Sequence, residues 1–373
     1  MAKASHAFTN FTAGELSPRL DGRTDVNKYF NGCSRLENFV IHPHGGASRR
    51  PGTKFIASVK TAANATRLIP FEFSVTQTYV LEFGNEYFRI YKDGGQVTSS
   101  GSAVEVSSPY TTADLDTIKF TQSADVMYLV HPDHSPRVIT RSSHTAWTMS
   151  EVDFRRGPMQ DENTTATTLV SNGRTGSVTI TASADLFAST DVGRIVKLHE
   201  GYAKITAFTN ATTVTAAVQE NTEGRTELMP SYNVSTIAFA EGDPSSTGLE
   251  HNDRITDAAS GFITQGFAVN QLVTITGASN SGNNVTSKLI VQVTADTILF
   301  APSVDLVNET AGQSVTIVGV LTASTSWSLG AFSTTTGFPS CVSFFEERLV
   351  FANTATAPQT LFFSVSGDFT DFA

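Results

Sequence analysis

Most segments of this chain alternate apolar and polar residues, and helical periodicity is scarce. The segments are rich in Val, Ile, Thr, Phe and Tyr, and Gly, Asn, Asp and Pro bound them. A period of two residues places alternate side chains on opposite faces of a strand. The sequence therefore predicts a mostly β fold, with one short helix near Asp25–Asn31.

Three stretches resemble one another as units of three or four antiparallel strands: Arg67–Val97, Thr117–Phe154 and Phe338–Phe372. The strands predicted in the first two are Ile69–Phe73, Tyr79–Phe83, Tyr87–Tyr91, Lys119–Gln122, Val126–Val130, Arg137–Thr140 and Trp147–Glu151. Such units are typical of β-propeller blades. One blade cannot bury both of its faces, so we expect the blades to pack around an axis or against partner domains.

Residues 160–325 differ, because they are rich in Thr, Ser, Ala and Asn and poor in aromatics. Two segments, Gly176–Val218 and Asp253–Phe300, share a regular strand and turn spacing, which favours folded modules over the alternative of disorder. We expect small β-barrel or sandwich modules inserted into a larger domain. The predicted domains are an N-terminal platform (1–60), propeller-like blades (61–158), inserted modules (159–326, divided into about 160–235 and 236–326) and a continued blade (327–373).

Charge is unevenly distributed along the chain. The net charge is −10, but residues 1–60 hold nine Lys and Arg against four Asp and Glu, a net of +5. The remainder therefore carries about −15. An acidic body argues against sequence-specific DNA binding, which needs a basic surface. It is compatible with a wall along which DNA slides, because like charges repel.

The most distinctive segment runs from Cys33 to Ile56. A strand, Glu37–Ile41, leads into a turn at Gly45–Gly46, and Arg49–Arg50 precede a second predicted turn at Pro51–Gly52. Arginine at a defined bend suits bidentate pairing with carboxylates of another subunit. A solvated basic turn is an equally good interpretation of the composition.

Two histidine pairs are candidate metal ligands. His42 and His44 lie two residues apart, and His131 and His134 flank Pro132–Asp133. No third ligand occurs at a recognisable spacing, so we predict turn-forming or stacking histidines and no metal site. Cys33 and Cys341 are too far apart in the chain to suggest a disulfide framework, and we expect two buried thiols.

Catalytic signatures are absent from the sequence. Glu346–Glu347 would project from opposite faces of a strand, so a turn or an edge with a partner for Arg348 is the better interpretation. There is no G-x-S-x-G, phosphate loop or H-E-x-x-H motif. We predict no catalytic residue, no cofactor and no enzyme activity, although glycan hydrolysis needs only two converging carboxylates. No apolar run is long enough for a membrane helix, and no secretory signal begins the chain.

Several ordered blocks of the sequence resemble the tail nozzle (tail tubular) proteins of short-tailed bacteriophages. The first, FTAGELSPRLDGRTDVNKYFNGCSRLENFVIHPHGGASRRPGTKFI, has "GELSP", "NF" and "RRPGT" as its anchors. LIPFEFS, YVLEFG, RIYKDGG and FTQSADVMYLVHPDHSPRVITR follow, and WSLGAFSTTTGFPSCVSFFEERLVFANT and SGDFTDF come after the variable region. The resemblance covers roughly residues 8–155 and 327–373.

The resemblance implies a homohexameric ring in the virion tail, assembled in the host cytoplasm and docked below the ring of adaptor proteins. It implies a channel for genome ejection, through which DNA passes without sequence-specific binding, and an outer surface that carries fibres or spikes. The N-terminal segment would meet the adaptor. Our candidate contact residues are Arg35, Asn38, Phe39, Arg49, Arg50 and Pro51.

Family members usually extend well beyond a block like SGDFTDF, so we expect this chain to be part of a longer protein. Two other functions remain open at the level of sequence. One is a receptor-binding or glycan-binding tail protein, which includes a depolymerase. The other is a neck or head-completion protein, which differs only in its position along the tail axis.

Overall fold

The computed structural model describes residues 8–199, 201–221, 224–243, 245, 251–302 and 304–373. Strands account for 43% of the chain, helix is almost absent, and one sheet curls into a half-barrel. The prediction of a mostly β fold is therefore confirmed. The helical turns whose residues are all described are short 3-10 turns at Pro18–Leu20, Asn27–Asn31, Ser189–Asp191 and Ser281–Asn283.

The helix predicted near Asp25–Asn31 is a 3-10 turn of five residues, Asn27–Asn31. Val26 precedes it and supplies no side-chain cap for the first amides of the turn. Such a short segment cannot offset the cost of helix nucleation. The segment was therefore predicted correctly as helical, but it is a 3-10 turn and not an α-helix.

Two compact units divide the chain, one ending at Ser58 and the other beginning at Val59. The N-terminal unit contains a parallel strand pair and a hairpin: β1 (Gly14–Glu15) with β2 (Gly32–Cys33), and β3 (Phe39–Ile41) with β4 (Ala47–Arg49). Among its described residues, 8–58, only Gly14, Gly32 and Gly45 are buried. Residues 8–58 therefore form no core of buried side chains of their own.

The second unit begins with a five-stranded sheet in which β7 pairs with β6, β8 and β11, and β6 pairs with β5. Its strands, with the short β9–β10 pair, are β5 (Arg67–Ser74), β6 (Gln77–Gly84), β7 (Tyr87–Lys92), β8 (Gly95–Gln96), β9 (Thr98–Ser99), β10 (Ser102–Ala103) and β11 (Glu105–Ser107). A four-stranded antiparallel sheet follows in chain order: β12 (Lys119–Ser123), β13 (Val126–His131), β14 (His134–Arg141) and β15 (Trp147–Glu151). All seven strands predicted here are confirmed.

The Thr-rich region forms two larger sheets. Five strands of the first are β16 (Leu169–Ser171), β17 (Ser177–Ala182), β18 (Ile195–Leu198), β19 (Gly201–Asn210) and β20 (Thr213–Gln219). The seven-stranded sheet contains β21 (Ser231–Val234), β22 (Ile237–Ala240), β23 (Arg254–Asp257), β24 (Leu272–Thr276), β25 (Lys288–Val293), β26 (Thr297–Phe300) and β27 (Val315–Gly319). The chain then returns through β28 (Trp327–Leu329), which pairs with β18 and completes a six-stranded sheet.

A three-stranded sheet ends the described chain: β29 (Cys341–Phe345), β30 (Arg348–Ala352) and β31 (Leu361–Phe363). Its inner face and one face of the four-stranded sheet share a core, to which Tyr128 and Val130 contribute. The other face of the four-stranded sheet contributes Met127 and Leu129 to a core shared with the five-stranded sheet. The four-stranded sheet is therefore covered on both faces, whereas the Thr-rich sheets have separate, mainly aliphatic cores.

Candidate functional sites

The candidate contact residues of the N-terminal unit lie in and beside the β3–β4 hairpin. Asn38, at φ 63°, turns the chain into β3, and Phe39 pairs with Arg49. Arg50 donates to Asn38 twice, from its backbone amide to the carbonyl at 2.9 Å and from Nε to Oδ1 at 2.8 Å. The Arg50 side chain is therefore committed to the hairpin.

Arg49 differs from its neighbour. It is exposed, and within the part of the chain that the structure describes its side chain makes no hydrogen bond or ion pair. Arg35 is also exposed but pairs with Glu37, Nη2 to Oε2, at 2.8 Å. Phe39 is half exposed, at 50%, and Pro51 is exposed. The hairpin thus presents the guanidinium of Arg49, which has no partner among the described residues, beside the accessible ring of Phe39.

The second turn predicted at Pro51–Gly52 is wrong. Residues 51–59 contain neither a turn nor a strand, and Gly52 does not adopt positive φ. The hydrogen bonds from Arg50 to Asn38 close the hairpin before Pro51, and proline cannot donate to a further ladder bond. The turn at Gly45 does form, with φ 104° and a hydrogen bond from its amide to the carbonyl of His42 at 3.0 Å.

His42 and His44 stack on each other, with ring centroids 5.2 Å apart and planes inclined by 12°. His42 Nε2 also lies 2.8 Å from the hydroxyl of Ser48. The prediction of stacking histidines is confirmed for this pair. Among the described residues, no third metal-ligating side chain joins them.

His131 and His134 face a carboxylate that the sequence did not identify. His131 ends β13, His134 begins β14, and Asp114 lies on the segment before β12. His134 Nε2 lies 3.1 Å from Asp114 Oδ2, and His131 Nε2 lies 3.8 Å from Oδ1. One donor atom from each of the three side chains lies within 4.8 Å of the others. The prediction that these histidines lack a third potential ligand is therefore wrong.

The local fold explains this juxtaposition. The tight turn at Pro132–Asp133 sets His131 directly opposite His134 in the hairpin register, with ring centroids 5.0 Å apart. Asp114 is held by Thr111, whose backbone amide and hydroxyl both donate to Oδ2, at 2.7 and 2.8 Å. A search for His pairs at short spacing cannot find Asp114, because 16 residues, including the whole of β12, lie between it and His131. Its one local signal is the Thr-x-x-Asp pattern of a closed turn.

Burial shapes the electrostatics of this cluster. His131 is only 3% exposed, and burial lowers the pKa of its ring. Burial alone would raise the pKa of Asp114, but the hydrogen bonds from Thr111 and His134 lower it overall. The Tyr110 ring packs edge-on against His134, and its buried hydroxyl has no hydrogen-bond partner among the described residues. Two imidazoles and an ionised carboxylate thus converge at a partly buried position.

A cleft of about 280 Å³ lies beside this cluster. His134 and Asp133 line one wall, Glu151 and Lys204 contribute further charges, and Phe332 is one of its aromatic rings. Glu151 pairs with Arg137 at 2.9 Å, and Lys204 pairs with Asp153 at 3.0 Å. The cleft therefore combines charged and aromatic side chains, a lining that can hold a small polar molecule.

Glu346 and Glu347 form the two-residue turn between β29 and β30, with φ of 45° and 59°. The prediction of a turn is confirmed, and two positive φ values are typical of a type I′ hairpin. Arg348 donates to the carbonyl of Ser364 at 2.9 Å. Its predicted partner is therefore a backbone oxygen of the neighbouring segment.

The two cysteines are free. Cys33 is half buried and its thiol donates to the carbonyl of Arg35 at 3.5 Å, whereas Cys341 is exposed. The prediction of two buried thiols is wrong: Cys33 is only half buried, and Cys341 is exposed because β29 alternates and Cys341 falls on its outward face. No helix in the described ranges has the length and apolar character needed to cross a membrane. The chain matches no known protein-family model and no curated protein.

Proposed function

We propose that this chain is a structural protein of a short bacteriophage tail, the nozzle that extends the DNA channel below the portal. The ordered sequence blocks at residues 8–155 and 327–373 support the class of protein. The structural observation that carries the proposal is the N-terminal unit, whose only buried described residues are glycines. A segment with no side-chain core of its own gains stability by being covered in an assembly.

The exposed side chains of this unit support an assembly surface. Six large apolar side chains of the unit are between 41% and 78% exposed: Phe8, Phe30, Phe39, Val40, Phe55 and Ile56. The segment containing them is also the basic part of an otherwise acidic chain. Aromatic and arginine side chains are the types enriched at protein interfaces. The partner in this proposal is an adaptor ring with an acidic rim and apolar pockets.

The rest of the chain supplies the wall of the conduit in this proposal. The five-, four- and three-stranded sheets act as propeller-like blades, and the shared cores on both faces of the four-stranded sheet support such stacking. The two Thr-rich sheets are inserted modules on the outer surface, where a fibre or spike attaches. Six copies form a ring in the virion tail, and the net acidic body keeps DNA from adhering to the wall.

The experiment measures docking of the full chain onto capsids that carry portal and adaptor but lack the tail. Reversing charge with Arg49→Glu should abolish docking, measured by co-sedimentation, because that guanidinium is exposed and uncommitted. Arg50→Glu should weaken docking and also loosen the hairpin, since it removes the hydrogen bond to Asn38. Lys119→Glu, an exposed change on β12, is the matched control and should dock normally.

Unchanged docking by the Arg49→Glu/Arg50→Glu double variant would contradict the assignment of this hairpin to the adaptor contact. A cryo-EM map of the virion tests the wider proposal directly. Density for this chain as a ring below the adaptor is the expected result. Density at a fibre tip would instead identify a receptor-binding protein.

The cleft beside His134 favours a second function, a glycan-binding tail protein. Carboxylates with aromatic rings suit sugar hydroxyls and sugar faces, and Asp133, Glu151 and Phe332 line this cleft. Binding of host surface glycan by the full chain, lost in Glu151→Gln and Phe332→Ala, would support this function. If the wild-type chain does not bind the glycan, this second function is excluded.

A further inference from the structure

We propose that Asp114, His131 and His134 form a binding site for a divalent transition-metal ion of the zinc class. The argument uses only these side chains and their surroundings, and it is independent of the tail function. Two imidazoles and one carboxylate are a donor set that zinc binds, with a fourth position left for water. Mg²⁺ and Ca²⁺ prefer all-oxygen sites, so this set discriminates against them.

The spacing of the donor atoms fits such an ion. Zinc bonds of about 2.0–2.1 Å in tetrahedral geometry place neighbouring donor atoms about 3.3 Å apart. The two separations in the structure, 3.1 Å from His134 Nε2 to Asp114 Oδ2 and 3.8 Å from His131 Nε2 to Oδ1, lie on either side of that value. The two oxygens belong to the same carboxylate, and one ligand atom from each of the three side chains lies within 4.8 Å of the others, so side-chain rotation has to bring them onto one ion.

The supporting contacts hold the ligands in place. Thr111 fixes the Asp114 carboxylate with two hydrogen bonds, and Tyr110 packs edge-on against the His134 ring. Hydrogen-bonded carboxylates and packed imidazoles are typical surroundings of metal ligands. His131 is buried, whereas His134 lines the cleft, so an ion and its water can enter from that side.

Binding requires a proton shift on each histidine. The Nε2–H of His134 donates to the ionised Asp114 carboxylate, so coordination through that nitrogen moves its proton to Nδ1. The amide of Asp133 donates to Nδ1 of His131 at 3.1 Å, which places the proton of the neutral ring on Nε2. Coordination through Nε2 moves that proton to Nδ1 and releases the Asp133 amide. Asp133 is exposed, so its amide then bonds to water. The ion would link the segment around Asp114 to the β13–β14 hairpin.

Calorimetric titration of the chelator-treated full chain with Zn²⁺ tests the site, and Co²⁺ absorption reports its geometry. We expect one equivalent bound, and no competition from a large excess of Ca²⁺. Asp114→Asn, His131→Gln and His134→Gln should each weaken binding by at least about tenfold. The controls are Asp116→Asn, an exposed carboxylate two residues away, and His144→Gln, an exposed histidine. Both should bind normally.

In the titrations, any of three results would overturn the proposal: no binding of Zn²⁺ by the wild-type chain, undiminished binding by the three variants, or equal competition by Ca²⁺. Hydrogen–deuterium exchange of the wild-type chain removes any dependence on how the variants fold. Zn²⁺ should slow exchange in peptides covering Thr111–Asp116 and Val130–Ser135. Slowing confined to other peptides, such as those around His42 and His44, would also overturn it.

Discussion

The N-terminal unit and the four-stranded sheet of β12–β15 both contain large apolar side chains, but the sheet buries them and the N-terminal unit leaves them exposed. In the sheet, β13 buries consecutive side chains on both faces, Met127 and Leu129 on one and Tyr128 and Val130 on the other. In the N-terminal unit, Phe30, Phe39 and Phe55 are exposed, and only glycines are buried among residues 8–58. Aromatic content alone therefore does not specify a core, and the two regions should respond differently to the same substitutions.

The largest expected effect is in the core shared by the four- and three-stranded sheets. Phe351 is fully buried and its ring contacts those of Phe154, Phe332 and Phe372 at centroid distances of 5.5–5.9 Å. Phe351→Ala should lower the free energy of unfolding by about 3–5 kcal/mol, measured by urea denaturation. Phe345→Ala, on the exposed side of the same sheet, should change it by less than about 0.5 kcal/mol. Equal effects would mean that the three-stranded sheet is not packed as described.

Ion pairs provide a second contrast between the two units. Arg194 and Asp191 are 4% and 1% exposed and 3.0 Å apart, and Arg194 also donates to the carbonyl of Gly330 at 2.7 Å. Arg194→Met leaves a buried carboxylate unpaired and should cost about 3–5 kcal/mol of unfolding free energy. In the N-terminal unit, Arg35 and Glu37 are 75% and 60% exposed. Arg35→Met should cost about 0–1 kcal/mol, and a larger loss would indicate a buried environment for that pair.

We expect a buried carboxylate of the second unit to contribute more to the loss of stability in acid than an exposed carboxylate of the N-terminal unit. Burial would raise the pKa of Asp257, but donors from Thr236, Ala259, Gly261 and Tyr232 lower it overall. Because the folded-state pKa is lowered, the stabilisation is present above the unfolded-state value of about 4 and is lost as pH falls through the folded-state pKa.

Asp257→Asn should therefore cost about 1.5–3 kcal/mol at pH 7 and lose less further stability between pH 5 and pH 2 than the wild-type chain, both measured by urea denaturation across pH. Asp25→Asn is the matched control, since that carboxylate is exposed and pairs with Arg23. If the stability of Asp257→Asn and of the wild-type chain fell in parallel as the pH is lowered, Asp257 would not have the lowered folded-state pKa argued above.

The strands could be predicted from the sequence where a short run of residues shows by itself which side chains are buried. The run from Val126 to Val130 and its bounding turns suffice to place β13, and the turn at Glu346–Glu347 follows from the hairpin around it. Asp114 was missed because its partners are brought to it by sheet pairing and not by sequence spacing. Cys341 was misplaced because a residue type does not reveal which face of a strand is outward. The strand that returns at Trp327–Leu329 is likewise a long-range pairing.

The smallest expected effect on stability is in the N-terminal unit. It tests most directly whether the apolar side chains of this unit are exposed within the chain. Phe55 is 78% exposed, so Phe55→Ser should change the free energy of unfolding of the isolated chain by no more than about 0.5 kcal/mol. If an assembly partner covers this ring, the same substitution removes about 1.5–3 kcal/mol of burial and should weaken docking by about tenfold or more. Urea denaturation and co-sedimentation with adaptor-bearing capsids measure the two quantities on the same protein. Destabilisation of the isolated chain with normal docking would show that Phe55 is already buried within the chain, and the N-terminal unit would then have the core that its described residues lack.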